Sequence, residues 1–230
     1  PDSQVVFFND STMGIAPELP PILNYAKRLG ISEHKVENNI YSGYAVASMD
    51  DTYLFCDVAA IGPPFQLGHA HADTLSFELS IGEQRIFVNS GTSEYGISAE
   101  RLRQRSTMAH NTVVLEGKNS SDVWSGFRVG KKARVFGKKF FPYEDHILIE
   151  ASHDGYRPVI HNRSWQFSSN KLLIMDEVKT SKEKRSYFYF HPNIKIVQVE
   201  KQTFILTWPH VKAEIKLSGM VNSTQIIDSL

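Results

Sequence analysis

Gly68-His69-Ala70-His71-Ala72-Asp73-Thr74-Leu75-Ser76-Phe77 sets His69, His71 and Asp73 at every second position. Side chains alternate along an extended chain, so this spacing predicts a strand with two imidazoles and a carboxylate on one face. Such a row can hold a metal ion or move a proton. The competing reading is a polar strand end that faces water, because buried histidines without partners are costly.

Strand signals continue outward from this row. Tyr41 to Ser48 and Thr52 to Ala59 flank Met49-Asp50-Asp51, a hairpin turn, and Leu75 to Ile81 and Arg85 to Asn89 flank Gly82-Glu83-Gln84, another. Further β-rich runs are Thr112–Leu115, Ala133–Phe140, His146–Ala151, Ile160–Phe167, Leu172–Val178, Arg185–Phe190, Ile194–Val199, Phe204–Trp208 and Val211–Leu217. Short strands at regular spacing predict an all-β chain, an antiparallel sandwich or barrel. Upstream, Leu19 to Gly30 reads as a short helix, with Pro20 and Pro21 at its start, Leu23, Ala26 and Leu29 near helical spacing, and Gly30 at its stop. Residues 1–40 are therefore expected to form a linker and short helix, and 41–230 the β-domain. Ser90 to Ala109 interrupts the strand pattern, as functional loops do.

Lys+Arg and Asp+Glu are both 25 in 230 residues, which leaves no net charge and no nucleic-acid footprint. Cys56 is the one cysteine, so no internal disulfide forms and a small core residue is expected. No apolar run reaches membrane-spanning length. There is no dinucleotide-binding glycine loop, phosphate loop or internal repeat.

The chemistry-bearing residues lie between position 69 and position 156. His110 is a third imidazole delivered from a different strand, and His71, His110 and an oxygen from Asn89 or Asp73 form a plausible metal set. Arg103 and Arg105 are candidates for gripping a carboxylate with their planar donor forks, against the alternative of a solvated basic face. Tyr95, His153 and Tyr156 are candidates for lining the same cleft, although a lone tyrosine in a β-rich domain more often packs. Trp124, Trp165 and Trp208 can serve as sugar platforms, with the core as the default for Trp165.

Gly68-His69-Ala70-His71-Ala72-Asp73, Val88-Asn89-Ser90-Gly91-Thr92, Arg105-Ser106-Thr107 and Ala109-His110-Asn111-Thr112-Val113, in that order, resemble the C-terminal β-domain of the heparinase II/III-like polysaccharide lyases. Gly126-Phe127-Arg128-Val129-Gly130 and His153-Asp154-Gly155-Tyr156 are similar to that family too. The resemblance implies a large antiparallel β-sandwich that packs against an N-terminal α/α toroid, with an acidic polysaccharide in the cleft between them. It implies cleavage of uronate-containing polysaccharides by β-elimination, and a periplasmic or secreted parent protein. His69 matches the catalytic histidine that faces the substrate carboxylate. His71 and His110 match two ligands of a structural zinc, and the third, usually aspartate, falls at Asn89. An amide brings no charge to offset the ion, so the resemblance implies a weakened zinc site. The family's catalytic tyrosine and a further histidine belong to the toroid, so this stretch alone is expected to be inactive.

Two other classes compete. A cupin also uses His-x-His, but needs a glutamate four or five residues after the second histidine. Here Asp73 comes too early, and Glu78 comes at seven, on the opposite strand parity. A non-catalytic carbohydrate-binding or structural module explains the fold and aromatics, but not the coincidence of His69, His71 and His110.

Overall fold

The computed structural model describes residues 2–32, 37–209, 211–219 and 221–227, so parts of the expected 1–40 segment and of the end of the 41–230 domain lie outside the described residues. The chain divides into two compact units, Pro1–Tyr189 and Phe190–Leu230. Helix α1 (Leu19–Arg28) takes two prolines in its first turn and carries Lys27 and Arg28 in its last, as its dipole favours.

The first unit is an antiparallel sandwich. Strands β1 (Asn39–Tyr41), β2 (Tyr44–Met49), β3 (Thr52–Asp57), β4 (Phe77–Ile81) and β5 (Gln84–Phe87) form one sheet in sequence order. Its hairpins turn where Asp50 and Gly82 adopt positive φ, at the two turns the sequence marks. After helix α2 (Ala99–Arg105) come β6 (Val113–Leu115), β7 (Val123–Trp124), β8 (Arg128–Val129), β9 (Val135–Pro142), β10 (Ile147–Tyr156), β11 (Val159–Ser168), β12 (Lys171–Val178) and β13 (Lys184–Ser186). The second sheet runs β12-β11-β10-β9; β13 pairs with β6, and β7 with β8.

Burial alternates along β10 and β11, which puts Ile147, Ile149, Trp165 and Phe167 in the core opposite Leu54, Cys56 and Phe77. Arg163 of β11 ties the layers together. Its Nη1 donates to the carbonyls of Leu75 and Asn111 at 2.8 and 2.7 Å, and its fork grips Asp176. Residues 2–11, part of the segment expected to lead in as a linker, pack into this unit: Phe8 is buried and stacks on Tyr44, and Asp2 pairs with Arg85. The second unit is a three-stranded meander of β14 (Lys195–Glu200), β15 (Thr203–Trp208) and β16 (Val211–Lys216).

A candidate active site around His69

The histidine row is not a strand. Between β3 and β4 the chain runs through bends and turns, and Leu75 takes φ 62°, the left-handed region that a bulky side chain enters at a cost of about 1–2 kcal/mol. Four contacts compel it: Leu75 N–H donates to Asp57 O, Ser76 N–H to Asp73 O, Arg163 donates to Leu75 O, and the Leu75 side chain is fully buried. The alternation of side chains nevertheless survives. His69, His71 and Asp73 all bond one short stretch, Asn9-Asp10.

Asp10 is the centre of the cluster. Its Oδ2 accepts from His69 Nδ1 at 2.9 Å and from Arg101 Nη2 at 2.7 Å; its Oδ1 accepts from His71 Nε2 at 2.7 Å, from Thr92 Oγ1 at 3.3 Å and from Arg101 Nη1. Burial opposes ionisation of Asp10, but the bonds from His71, Arg101 and His69 outweigh it and hold the carboxyl well below the usual carboxylate range. Asn9 supports the same turn, donating N–H to Asp73 Oδ2 and accepting from the His71 N–H.

Helix α2 delivers Arg101. Ser98 caps its start, accepting from Arg101 N–H at 2.9 Å. Residues 101 and 105 share one helix face, and both turn inward, while Arg103 turns out. The Arg101 guanidinium lies under the rings of Tyr95 and Phe127, 5.1 and 5.4 Å from their centroids. Those rings stack on each other, and Tyr95 meets His69 edge-on at 6.3 Å. The result is a half-exposed aromatic wall beside an imidazole whose side chain is 61% exposed.

Behind His69 lies the His71–His110 pair, fully buried, with His71 Nδ1 3.3 Å from His110 Nε2. A tetrahedral ion with bonds of about 2.0–2.1 Å spaces its ligands by roughly that distance. The outer nitrogens fix the tautomers: His110 Nδ1 faces the Ser106 carbonyl at 2.8 Å and His71 Nε2 faces the ionised Asp10, so both outer nitrogens carry hydrogen. Two lone pairs then meet across the gap, and a proton or a metal cation between them relieves the repulsion. Burial pushes the His110 pKa down to about 3.

The third zinc position is less complete. Asn89 Oδ1 accepts from Asn111 N–H at 3.0 Å, and Asn89 Nδ2 is buried without a hydrogen-bond partner among the described residues. Asp73, the alternative oxygen, gives Oδ2 to the Asn9 N–H and keeps Oδ1 buried without a hydrogen-bond partner among the described residues, and burial raises its pKa. Among the described residues no cluster of three His, Cys, Asp or Glu side chains is placed to hold a metal. Of the expected zinc ligands, the structure brings the two imidazoles together.

The other sequence candidates divide. Tyr95 joins the site. Arg103 is half-exposed, with its fork on Glu100. Arg105 is buried, and its guanidinium donates to the carbonyls of Ala70, Trp124, Ser125 and Arg128, which leaves no donor face toward a ligand. His153 and Tyr156 are buried as well. His153 bonds Gly155 N–H and His161, and Tyr156 donates its hydroxyl to Val113 O at 2.7 Å. These three organise the fold behind the site rather than line it. The sequence assigns no site role to Asp10, Asn9, Arg101 or Phe127, although Phe127 lies in the Gly126–Gly130 stretch that resembles the family. The one local signal for the first two is Phe7-Phe8 beside them, an apolar pair that anchors a turn.

No curated protein matches the chain. Among solved structures it is similar to the heparan sulfate lyase HepC from Pedobacter heparinus, with TM-score 0.70, 18% identity, and coverage of 90% of this chain and 35% of that one. It is similar also to the heparinase III BT4657 gene product, with TM-score 0.67, 20% identity, and coverage of 89% and 34%. A structure of heparinase III gives TM-score 0.65 and 17% identity, over 90% of this chain and 37% of that one. The chain thus spans about a third of the length of these structures, and the likeness is one of fold. Among the described residues no helix is long and apolar enough to cross a membrane. Residues 37–219 match the model for the C-terminal domain of heparinase II/III-like proteins, and the chain belongs to that family.

Proposed function

We propose that the chain is the sandwich half of a polysaccharide lyase that cleaves uronate-containing polysaccharides by β-elimination, completed by an N-terminal α/α toroid in a longer, periplasmic or secreted protein. The observation that carries this reading is His69. Its ring is exposed, anchored at Nδ1 by Asp10, and flanked by Tyr95 and Phe127. β-Elimination removes the proton beside the uronate carboxylate and protonates the leaving oxygen. An imidazole with one nitrogen held and the other open can meet the carboxylate or carry one of those protons. The aromatic wall suits the apolar face of a sugar ring. Zinc, held by His71, His110 and Asn89, would pin the histidine turn to the His110 turn and leave the reaction to side chains.

The test is the rise of unsaturated-uronate absorbance on uronate polymers. The longer protein should turn over, and His69→Ala should abolish turnover with the fold intact, while this chain alone stays inactive. Turnover by this chain alone, or a fully active His69→Ala protein, overturns the reading. Oligosaccharide binding with no turnover by the longer protein would make the domain a carbohydrate-binding module instead.

A further inference from the structure

We propose that Asp10 is the positioning residue of His69, fixing the neutral ring with hydrogen on Nδ1 and leaving the Nε2 lone pair for the substrate. The inference rests on the lyase reading for its chemistry, but not for its geometry. Among the described residues every hydrogen-bond partner of the Asp10 carboxylate is a donor: the Arg101 fork, the Thr92 hydroxyl and two imidazoles. An ionised carboxylate only accepts, so the His69 nitrogen 2.9 Å away must bear hydrogen. A neutral imidazole carries one such hydrogen, which leaves Nε2 bare on an exposed ring.

The support behind Asp10 is rigid. The Asp10 side chain is 6% exposed, and Arg101, which grips both its oxygens, is buried and donates Nε–H to Gly126 O at 3.1 Å. The same carboxylate orients His71, so one acid sets the exposed imidazole and the buried pair together. A histidine whose tautomer is set by a buried aspartate is the arrangement of catalytic triads, in which an amide in place of the acid admits the wrong tautomer and costs about 10⁴-fold in kcat.

The experiment reads the tautomer directly. In this chain labelled with ¹⁵N-histidine, two-bond ¹H–¹⁵N correlations are recorded well above the ordinary histidine pKa of about 6.5, and the His69 signals are assigned with His69→Ala. The wild-type ring should show Nδ1 protonated and Nε2 bare. Asp10→Asn should move it toward the Nε2–H form, and Asp10→Glu should restore the original. In the longer protein, Asp10→Asn should lower kcat by about 10²- to 10⁴-fold with KM little changed, and Asp10→Glu should recover part of it. A wild-type His69 in the Nε2–H form overturns the proposal, even where Asp10→Asn fails to fold. So does a folded Asp10→Asn protein with an unchanged tautomer, or a loss confined to KM. The expected tautomers in a longer protein without lyase activity would uphold the orienting role and remove the lyase reading alone.

Discussion

His71 Nδ1 faces His110 Nε2 at 3.3 Å with an acceptor bound to the far side of each ring, Asp10 on one and the Ser106 carbonyl on the other. A second imidazole pair shows what is unusual in this. His161 Nδ1 lies 3.1 Å from His153 Nε2, with Asp176 on the far side of His161, but the far nitrogen of His153 accepts from Gly155 N–H. That donor leaves His153 with hydrogen on Nε2, and two neutral rings satisfy each other. Around His71 and His110 both ends are acceptors, so the centre suits a proton or a metal cation.

Asn89→Asp is therefore expected to raise zinc affinity tenfold or more. Aspartate keeps one oxygen for the Asn111 N–H and puts a second, charged one where Asn89 Nδ2 is buried unpartnered. Titration calorimetry on both forms, with His71→Ala as the control, decides. Equal affinity in all three would leave the gap to a proton.

Stability should fall on the acid side. Burial holds His153 and His161 below the ordinary histidine value, so both stay neutral in the folded state while the unfolded chain takes up protons near pH 6.5. Their depressed folded pKa means this stability is complete above about 6.5 and is lost as pH drops below it. Thermal melts between pH 8 and 5 should show Tm falling through that window. A flat profile in Glu78→Gln, where the opposing titration of Glu78 is removed, would contradict the burial of these rings.

Glu78 acts with the opposite sign. Burial raises its pKa to about 7, against bonds from Asn89 N–H and Phe7 N–H that lower it. Ionising it in the fold costs more than in the unfolded chain, so its contribution weakens as pH rises from about 4.5 to about 7. Glu78→Gln keeps an oxygen for the two N–H groups and does not ionise. Its stability relative to wild type should increase across that window, by on the order of 3 kcal/mol at the upper end. Urea midpoints at pH 5 and pH 8 measure the difference.

The sheets were legible because their signal is local. Alternating burial along β10 and turn residues such as Asp50 and Gly82 act within a few positions of themselves. Helix α2 was not, because its inward face is Arg101, Gln104 and Arg105, buried through hydrogen bonds, with no apolar stripe to mark it. The row of His69, His71 and Asp73 does share one side, but in a turn compelled by Leu75 and not in a strand. The sequence around Asp10 marks a turn and no more, since its partners His69 and Arg101 are 59 and 91 residues away and no pattern of its own neighbours names them. Arg105, His153 and Tyr156 carry residue types that suit a ligand, and only their burial shows that carbonyls and each other's neighbours already occupy them.

Arg105→Lys should destabilise the domain by about 2–4 kcal/mol, because an ammonium cannot reach the carbonyls of Ala70, Ser125 and Arg128 together and leaves buried acceptors unmet. Denaturant unfolding measures the loss. Oligosaccharide affinity of the folded fraction should stay within about twofold, and a selective loss of affinity with full stability would instead place Arg105 against the ligand.

Gly126→Ala tests how the aromatic wall is held. A Cβ at Gly126 would lie 2.0 Å from the Gly96 carbonyl oxygen, so the loops that carry Tyr95 and Phe127 touch there backbone to backbone. Neither backbone can yield as the end of a flexible side chain would, and the loops must part. The Gly126 carbonyl also accepts from Arg101 Nε, so parting them loosens the clamp on Asp10. The expected cost is about 1–3 kcal/mol of stability. Because both loops border His69, uronate oligosaccharide affinity should fall with it, whereas Gly82→Ala, at an open hairpin turn where a Cβ meets nothing within 4 Å, should cost only its φ of 56° and leave affinity unchanged. Melting curves and calorimetry on the two variants separate the contact from the general effect of replacing a glycine. Equal affinity in both would place the binding surface away from Tyr95 and Phe127.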